Sequence, residues 1–242
     1  MSDQPHFDSF FERDLELIQT RIMKMGGLVE RAIVDAARSL ETRDEELAEE
    51  VRKRDAAIDT LEETITDEAT RIIAVRAPAA SDLRLVLTVI KISANLERIG
   101  DYARNIAKRT SVLTDMTPVT GATAALRRMA REVEAMLKDV LDAYIQRDAD
   151  LAYAVIDRDQ DVDQMYNAIF REFLTFMMED PRNITPCMHL HFIAKNIERM
   201  GDLVTSVAEQ VVYLVSGEIP QEPRPKGDRT STDPAISRHV KA

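Results

Sequence analysis

The chain has 242 residues, with 32 Lys and Arg against 43 Asp and Glu, a net charge of −11. That acidity argues against a nucleic-acid binder, which needs basic groups to meet the phosphates. The absence of Trp, 5% aromatics and only seven Gly argue against an all-β fold. A single cysteine, Cys187, excludes an internal disulfide framework and a multi-cysteine zinc site. No stretch reads as a signal peptide or approaches the roughly 20 apolar residues of a membrane span. The expectation is a soluble helical protein of a reducing compartment, without membrane insertion.

In chain order, the helix breakers and apolar periodicity predict six helices. Residues 1–7 read as an N-terminal extension, followed by a first helix over 8–41. The second, 44–76, carries Leu47, Val51, Ile58, Leu61, Ile65 and Ile72 at spacings of three, four and seven. The third, 80–114, shows two stripes. One is Leu83, Leu87, Ile90 and Ala94; the other is Leu85, Val89, Ile92, Leu96, Ile99, Ala103 and Ile106. A helix apolar on two sides is packed by more than one neighbour, so this one is expected at the centre of a bundle.

Pro118 and Gly121 mark a linker over 116–123. The fourth and fifth helices, 123–147 and 149–180, contain neither Gly nor Pro before Pro181, and the sixth runs over 185–216. Four of the nine prolines fall in 217–242, where apolar residues are few, so that segment reads as a disordered tail. The result is an all-α fold of long antiparallel helices, with the eleven Met spread among them as core filler.

The two halves repeat each other. Asn95-Leu96-Glu97-Arg98-Ile99-Gly100-Asp101 matches Asn196-Ile197-Glu198-Arg199-Met200-Gly201-Asp202, 101 residues later. Arg54-Asp55-Ala56-Ala57-Ile58-Asp59 matches Arg158-Asp159-Gln160-Asp161-Val162-Asp163, and Arg43-Asp44 matches Arg147-Asp148. Such self-similarity marks a duplicated unit of three helices, here 8–115 and 124–216. Gly100 and Gly201 fall at the same place in each repeat. Either close helix packing or room for a ligand beside Asp101 and Asp202 explains a residue that weakens a helix interior by about 1 kcal/mol.

Acids four apart share a helix face, as do Asp55 with Asp59 and Glu97 with Asp101. The hairpin at Pro78 brings these pairs to one height, since Asp59 and Glu97 lie 19 residues on either side of it. The second half repeats this about Pro181 with Asp159, Asp163, Glu198 and Asp202. The wheel sets Glu97 and Asp101 on the stripe of Leu83 and Ala94, and Asp55 and Asp59 about a quarter turn off their helix's apolar stripe.

Crowded carboxylates are relieved by raised pKa values, by cations or by metal. Arg54, Arg98, Arg158 and Arg199 adjoin motif acids and could form an Arg–carboxylate network in a metal-free scaffold. An all-oxygen donor set suits Mg, Mn, Ca or iron better than zinc. A hydrolase or oxidase working through such clusters is the third possibility. No Glu-x-x-His, P-loop, zincin motif or nucleophile elbow occurs, so a catalytic set is lacking. Cys187-Met188-His189-Leu190-His191 invites a zinc reading but has no counterpart in the first repeat. His191, on the stripe leading to Glu198, is its best candidate ligand, and a packed histidine is the plainer explanation.

The duplicated N-h-E-R-h-G-D motif, the preceding D-x-x-x-D and Asp82-Leu83-Arg84 at the start of the third helix resemble the PhoU family over about residues 8–216. The resemblance implies two pseudo-symmetric three-helix bundles. It also implies multinuclear metal clusters, of iron or zinc in some members and Mn or Mg in others. Their ligands would map here to Asp55, Asp59, Glu97, Asp101, Asp159, Asp163, Glu198 and Asp202. It further implies a cytoplasmic, non-enzymatic regulator, plausibly a homodimer. Such a regulator acts between the ATPase subunit of a phosphate ABC transporter and a membrane sensor histidine kinase. It keeps uptake and the phosphate-starvation response down when phosphate is plentiful.

Overall fold

A computed structural model describes residues 4–78 and 80–220. The expected disordered tail therefore lies outside the described residues from position 221 onward. Six helices form the described chain: α1 (Gln4–Thr42), α2 (Glu45–Arg76), α3 (Ala80–Thr114), α4 (Ala122–Gln146), α5 (Ala149–Glu179) and α6 (Ile184–Ser216). A 3-10 turn, Pro181–Asn183, precedes α6. No strand occurs among the described residues. α1 starts at Gln4, earlier than the expected residue 8. At 39 residues it is a rod about 58 Å long at 1.5 Å per residue.

Helix ends explain the Arg-Asp repeat. Arg43 and Arg147 both adopt the left-handed conformation, with φ 56° in each case. Each closes one helix, and the following Asp opens the next. Asp44 accepts from the Leu47 amide at 2.9 Å, and Asp148 from the Leu151 amide at 3.0 Å. The amides of Asp44 and Asp148 reach back to the carbonyls of Ser39 and Ala143, completing the same tight turn in both halves. Arg43 adds a second function. Its Nη2 donates to the carbonyls of Leu113, Thr114 and Met116, at 2.7, 2.7 and 2.6 Å, and so caps the end of α3.

Helices α1, α2 and α3 pack on one another, as do α4, α5 and α6. The two bundles join through α3 against α6 and α1 against α4. α3 thus touches three helices, as its apolar content suggests, and α1, α4 and α6 do the same. Arg84 lies over the Tyr213 ring and Arg109 over the Phe192 ring, so α3 and α6 run antiparallel. α1 and α4 approach closely at Gly26, where a β-carbon would sit 2.5 Å from Leu141 Cδ1. Neighbouring Gly27 meets nothing.

One apolar stripe of α3 is not core. Leu85, Val89, Ile92, Leu96, Ile99, Ala103 and Ile106 are buried, but Leu87 is 41% exposed and Ala94 is exposed. The buried face of α3 is instead widened along one flank by Val86, Ser93, Gly100 and Ala107, mostly small residues, while Thr88 and Thr110 are buried within the Leu85–Ile106 stripe. Small side chains permit close helix contact, and a hydrophobicity pattern does not reveal them. The Met residues divide similarly. Met25, Met129, Met136 and Met200 are fully buried, whereas Met178 and Met188 are exposed. No described helix is long and apolar enough to cross a membrane.

Candidate metal centre

The two D-x-x-x-D segments sit on α2 and α5, and the two E-x-x-x-D segments on α3 and α6. Asp55 is 4% exposed and Asp159 7%. They are part of the buried stripes of their helices, with Val51 and Ile58 flanking Asp55 and Val155 and Val162 flanking Asp159. The expected quarter-turn offset from the core is therefore wrong for Asp55, whereas Asp59 is half-buried. Asp55 and Asp159 each lie against the glycine of the facing helix. A β-carbon at Gly100 would meet Asp55 Oδ1 at 3.5 Å and Ile58 Cδ1 at 3.0 Å, and one at Gly201 would meet Asp159 Oδ1 and Val162 Cγ1 at 3.3 Å. Close packing and room for a functional group thus coincide, and the group admitted is the acid itself.

In the first half the four acids do reach one level. Burial raises the Glu97 carboxyl above its usual pKa, and Asp101, Asp59, Glu62 and Asp55 raise it further. Burial also raises Asp55, with Asp59 and Asp101 adding to the effect and Arg104 opposing it. In the second half Asp163 and Glu198 are each 6% exposed, and Asp202 is half-buried. That site is the more enclosed of the two.

The cations beside these acids are not the ones adjoining them in sequence. Arg54 pairs with Asp35 at 2.8 Å and with Glu50. Arg158 pairs with Glu132 at 2.7 Å and with Asp139. Arg98 and Arg199 are exposed. Neighbours on a helix point about 100° apart, so a residue next to a motif acid faces elsewhere. Arg104 enters the first site, bonding Asp55 through Nη1 and Asp101 through Nη2 at 2.5 Å. Lys195 enters the second, 2.8 Å from Glu198 Oε1 and over the Tyr166 ring. Adjacency in sequence does not identify Arg104, Lys195 or Glu62 as neighbours of the acids. The available signal was spacing: each lies three residues from a motif acid.

The cysteine–histidine segment does not gather into a zinc site. Cys187 is fully buried and its thiol is pushed up by burial. Arg109 Nη1 lies 3.4 Å from His189 Nδ1. His191 packs among Tyr166, Phe170 and Phe192, with ring centroids 5.2 to 6.0 Å away. More broadly, no three His, Cys, Asp or Glu donors among the described residues are grouped as a metal ion requires. The donor chemistry of the eight acids fits a hard cation. Their positions in this conformation are not a ready-made cage, and in the first half Arg104 stands between two of them.

Both halves match one family model, the PhoU domain, over residues 22–110 and 126–211. The chain belongs to the PhoU family. Two curated PhoU homologs, both described as phosphate-specific transport system accessory proteins, are similar along nearly their whole length. That of Rhizobium meliloti is 44% identical, over 94% of this chain and 96% of its own. That of Caulobacter vibrioides is also 44% identical, over 92% and 97%. The crystal structure of PhoU from Pseudomonas aeruginosa superposes with a TM-score of 0.82 at 40% identity, covering 86% of this chain and 100% of that one. A PhoU described as a phosphate transport system regulatory protein, from Streptococcus pneumoniae, gives 0.80 at 28% identity, over 88% and 100%. The two matched segments coincide with the two PhoU-type bundles, so the duplication in the sequence is also one of fold.

Proposed function

We propose that this chain regulates phosphate transport by binding, holding uptake and the phosphate-starvation response down when phosphate is plentiful. Its partners on this reading are the ATPase subunit of a phosphate ABC transporter and a membrane sensor histidine kinase, met from the cytoplasmic side. The observation that carries the reading is full-length similarity to phosphate-specific transport accessory proteins. The chain's chemistry agrees with a binder: long helical faces and exposed apolar side chains such as Leu87, Ile184 and Met188.

The eight acids would hold metal in two clusters, Asp55, Asp59, Glu97 and Asp101 in one and Asp159, Asp163, Glu198 and Asp202 in the other. Iron, zinc, Mn and Mg are the candidates, with the hard cations favoured by the oxygen donors. Bound there, metal would neutralise the crowded carboxylates. In the first half Arg104 and Asp55 also tie α2 to α3.

A specific observation favours a second reading, a metal-free scaffold. Arg104 already bridges Asp55 and Asp101, as an Arg–carboxylate network would. Metal analysis of the purified protein, supplied with Fe, Mn, Mg and Zn, separates the two. The regulatory role is tested by deleting the gene. Phosphate-starvation genes are expected to switch on in phosphate-rich medium, and unchanged expression would contradict the role.

A further inference from the structure

Away from the motif acids, the seam between α1 and α4 opens into a cleft of about 320 Å³. The two helices run antiparallel there, since Arg127 of α4 pairs with Glu41 near the end of α1 while Leu141 meets Gly26. Small side chains make the hollow. Ala37 and Ala130, both buried, form its floor together with Val34, which is 45% exposed. The walls are arginine: Arg38 from α1, and Arg127 and Arg131 from α4. The two on α4 are four residues apart and so share a face of that helix.

Three guanidinium groups around one hollow run against the trend of a chain whose net charge is −11. Glu41 holds Arg127 in place, yet a guanidinium carries five N–H donors and this pairing leaves most of them for another acceptor. Arg38 and Arg131 are exposed and pair with no acid among the described residues. Of the described lining residues only Glu134 is acidic, and its charge acts on Glu30 further along the seam. Like charges gathered in this way repel, and an anion between them removes that repulsion. Guanidinium planes grip phosphoryl oxygens two at a time, through charge-assisted hydrogen bonds. An apolar floor with a few convergent polar groups is also the usual make-up of a small-molecule pocket, and the volume is of the right order.

We infer that the α1–α4 cleft binds a phosphorylated small molecule with an organic part, the chemistry of a nucleotide. Its phosphoryl groups meet Arg38, Arg127 and Arg131, and its organic part covers Val34, Ala37 and Ala130. Inorganic phosphate would use the arginines and leave the apolar floor bare. Because the arginines come from both helices, the ligand joins α1 to α4, one of the two seams that hold the bundles together. The inference goes beyond the regulatory role and does not depend on metal at the eight acids.

Calorimetric titration of the full-length protein with ATP tests it, in a chelating buffer so that no metal links the phosphates to the acids. The wild type is expected to bind ATP with a Kd below about 1 mM, and pyrophosphate and inorganic phosphate about tenfold or more weakly. Arg38→Gln and Arg131→Gln should each weaken ATP binding by about tenfold, whereas Glu134→Gln, which removes the acid from the lining, should tighten it. Arg128→Gln alters an exposed arginine of α4 outside the cleft and should leave the affinity unchanged. Circular dichroism checks that each variant is folded. No binding of ATP by the wild type would overturn the inference. So would equal losses in Arg128→Gln and Arg38→Gln, which reduce the binding to general charge attraction, or pyrophosphate binding as tightly as ATP, which leaves the apolar floor without a role.

Discussion

Asp159 Oδ1 lies 3.3 Å from the point where a β-carbon on Gly201 would stand, and Asp55 Oδ1 lies 3.5 Å from the same point on Gly100. The glycine of each N-h-E-R-h-G-D motif is therefore the seat of a buried carboxylate from the preceding helix. A larger side chain must push that acid out of place. Gly201→Leu is expected to destabilise the protein by about 1–3 kcal/mol through overpacking against Asp159 and Val162. Urea unfolding reads the loss, and a variant as stable as the wild type would show that α5 and α6 separate freely there.

Arg43 and Arg147 share one strained backbone conformation but not one role. Arg147→Gly removes the left-handed strain and is expected to stabilise the chain by about 0.5–1 kcal/mol. Arg43→Ala keeps the strain but removes the cap on three α3 carbonyls, for an expected loss of about 2–3 kcal/mol. Opposite signs in chemical unfolding support this division. Equal effects at the two positions would contradict it.

Glu30 gives a pH signature at the α1–α4 seam. Burial raises its pKa first; Glu134 and Asp142 raise it further and Lys138 opposes them. With the folded value above the unfolded one, the folded chain binds the proton at higher pH than the unfolded chain does. Stability from this group therefore rises as pH falls through its folded pKa. Asp55 and Glu97 act in the same direction in metal-free protein. Glu30→Gln is expected to melt higher than wild type at about pH 7.5 and to gain less on acidification to about pH 5. An identical pH profile would contradict the assignment.

Much of this was legible from residues alone. Breakers and periodicity locate six helices, because Gly and Pro act locally and a core stripe must repeat at helical spacing. The hairpin arithmetic about Pro78 places Asp55 with Asp101 and Asp59 with Glu97, because antiparallel helices of equal rise keep equal counts level. What sequence did not disclose is direction and depth. Asp55 and Asp159 occupy core positions that a hydrophobicity wheel assigns only to apolar residues. The stripe from Leu83 to Ala94 is apolar yet partly exposed, and Thr88, Ser93 and Gly100 bury themselves through small size. Sequence adjacency points to Arg98, whose side chain leaves the helix at another angle, and not to Arg104, three residues beyond Asp101.

The metal reading of the acids is tested most directly by anomalous scattering from crystals of manganese-loaded protein. A peak is expected within about 3 Å of the carboxylates of Asp159, Asp163, Glu198 and Asp202, and another beside Asp55, Asp59, Glu97 and Asp101. Crystals that show no anomalous peak beside any of the eight acids would contradict it.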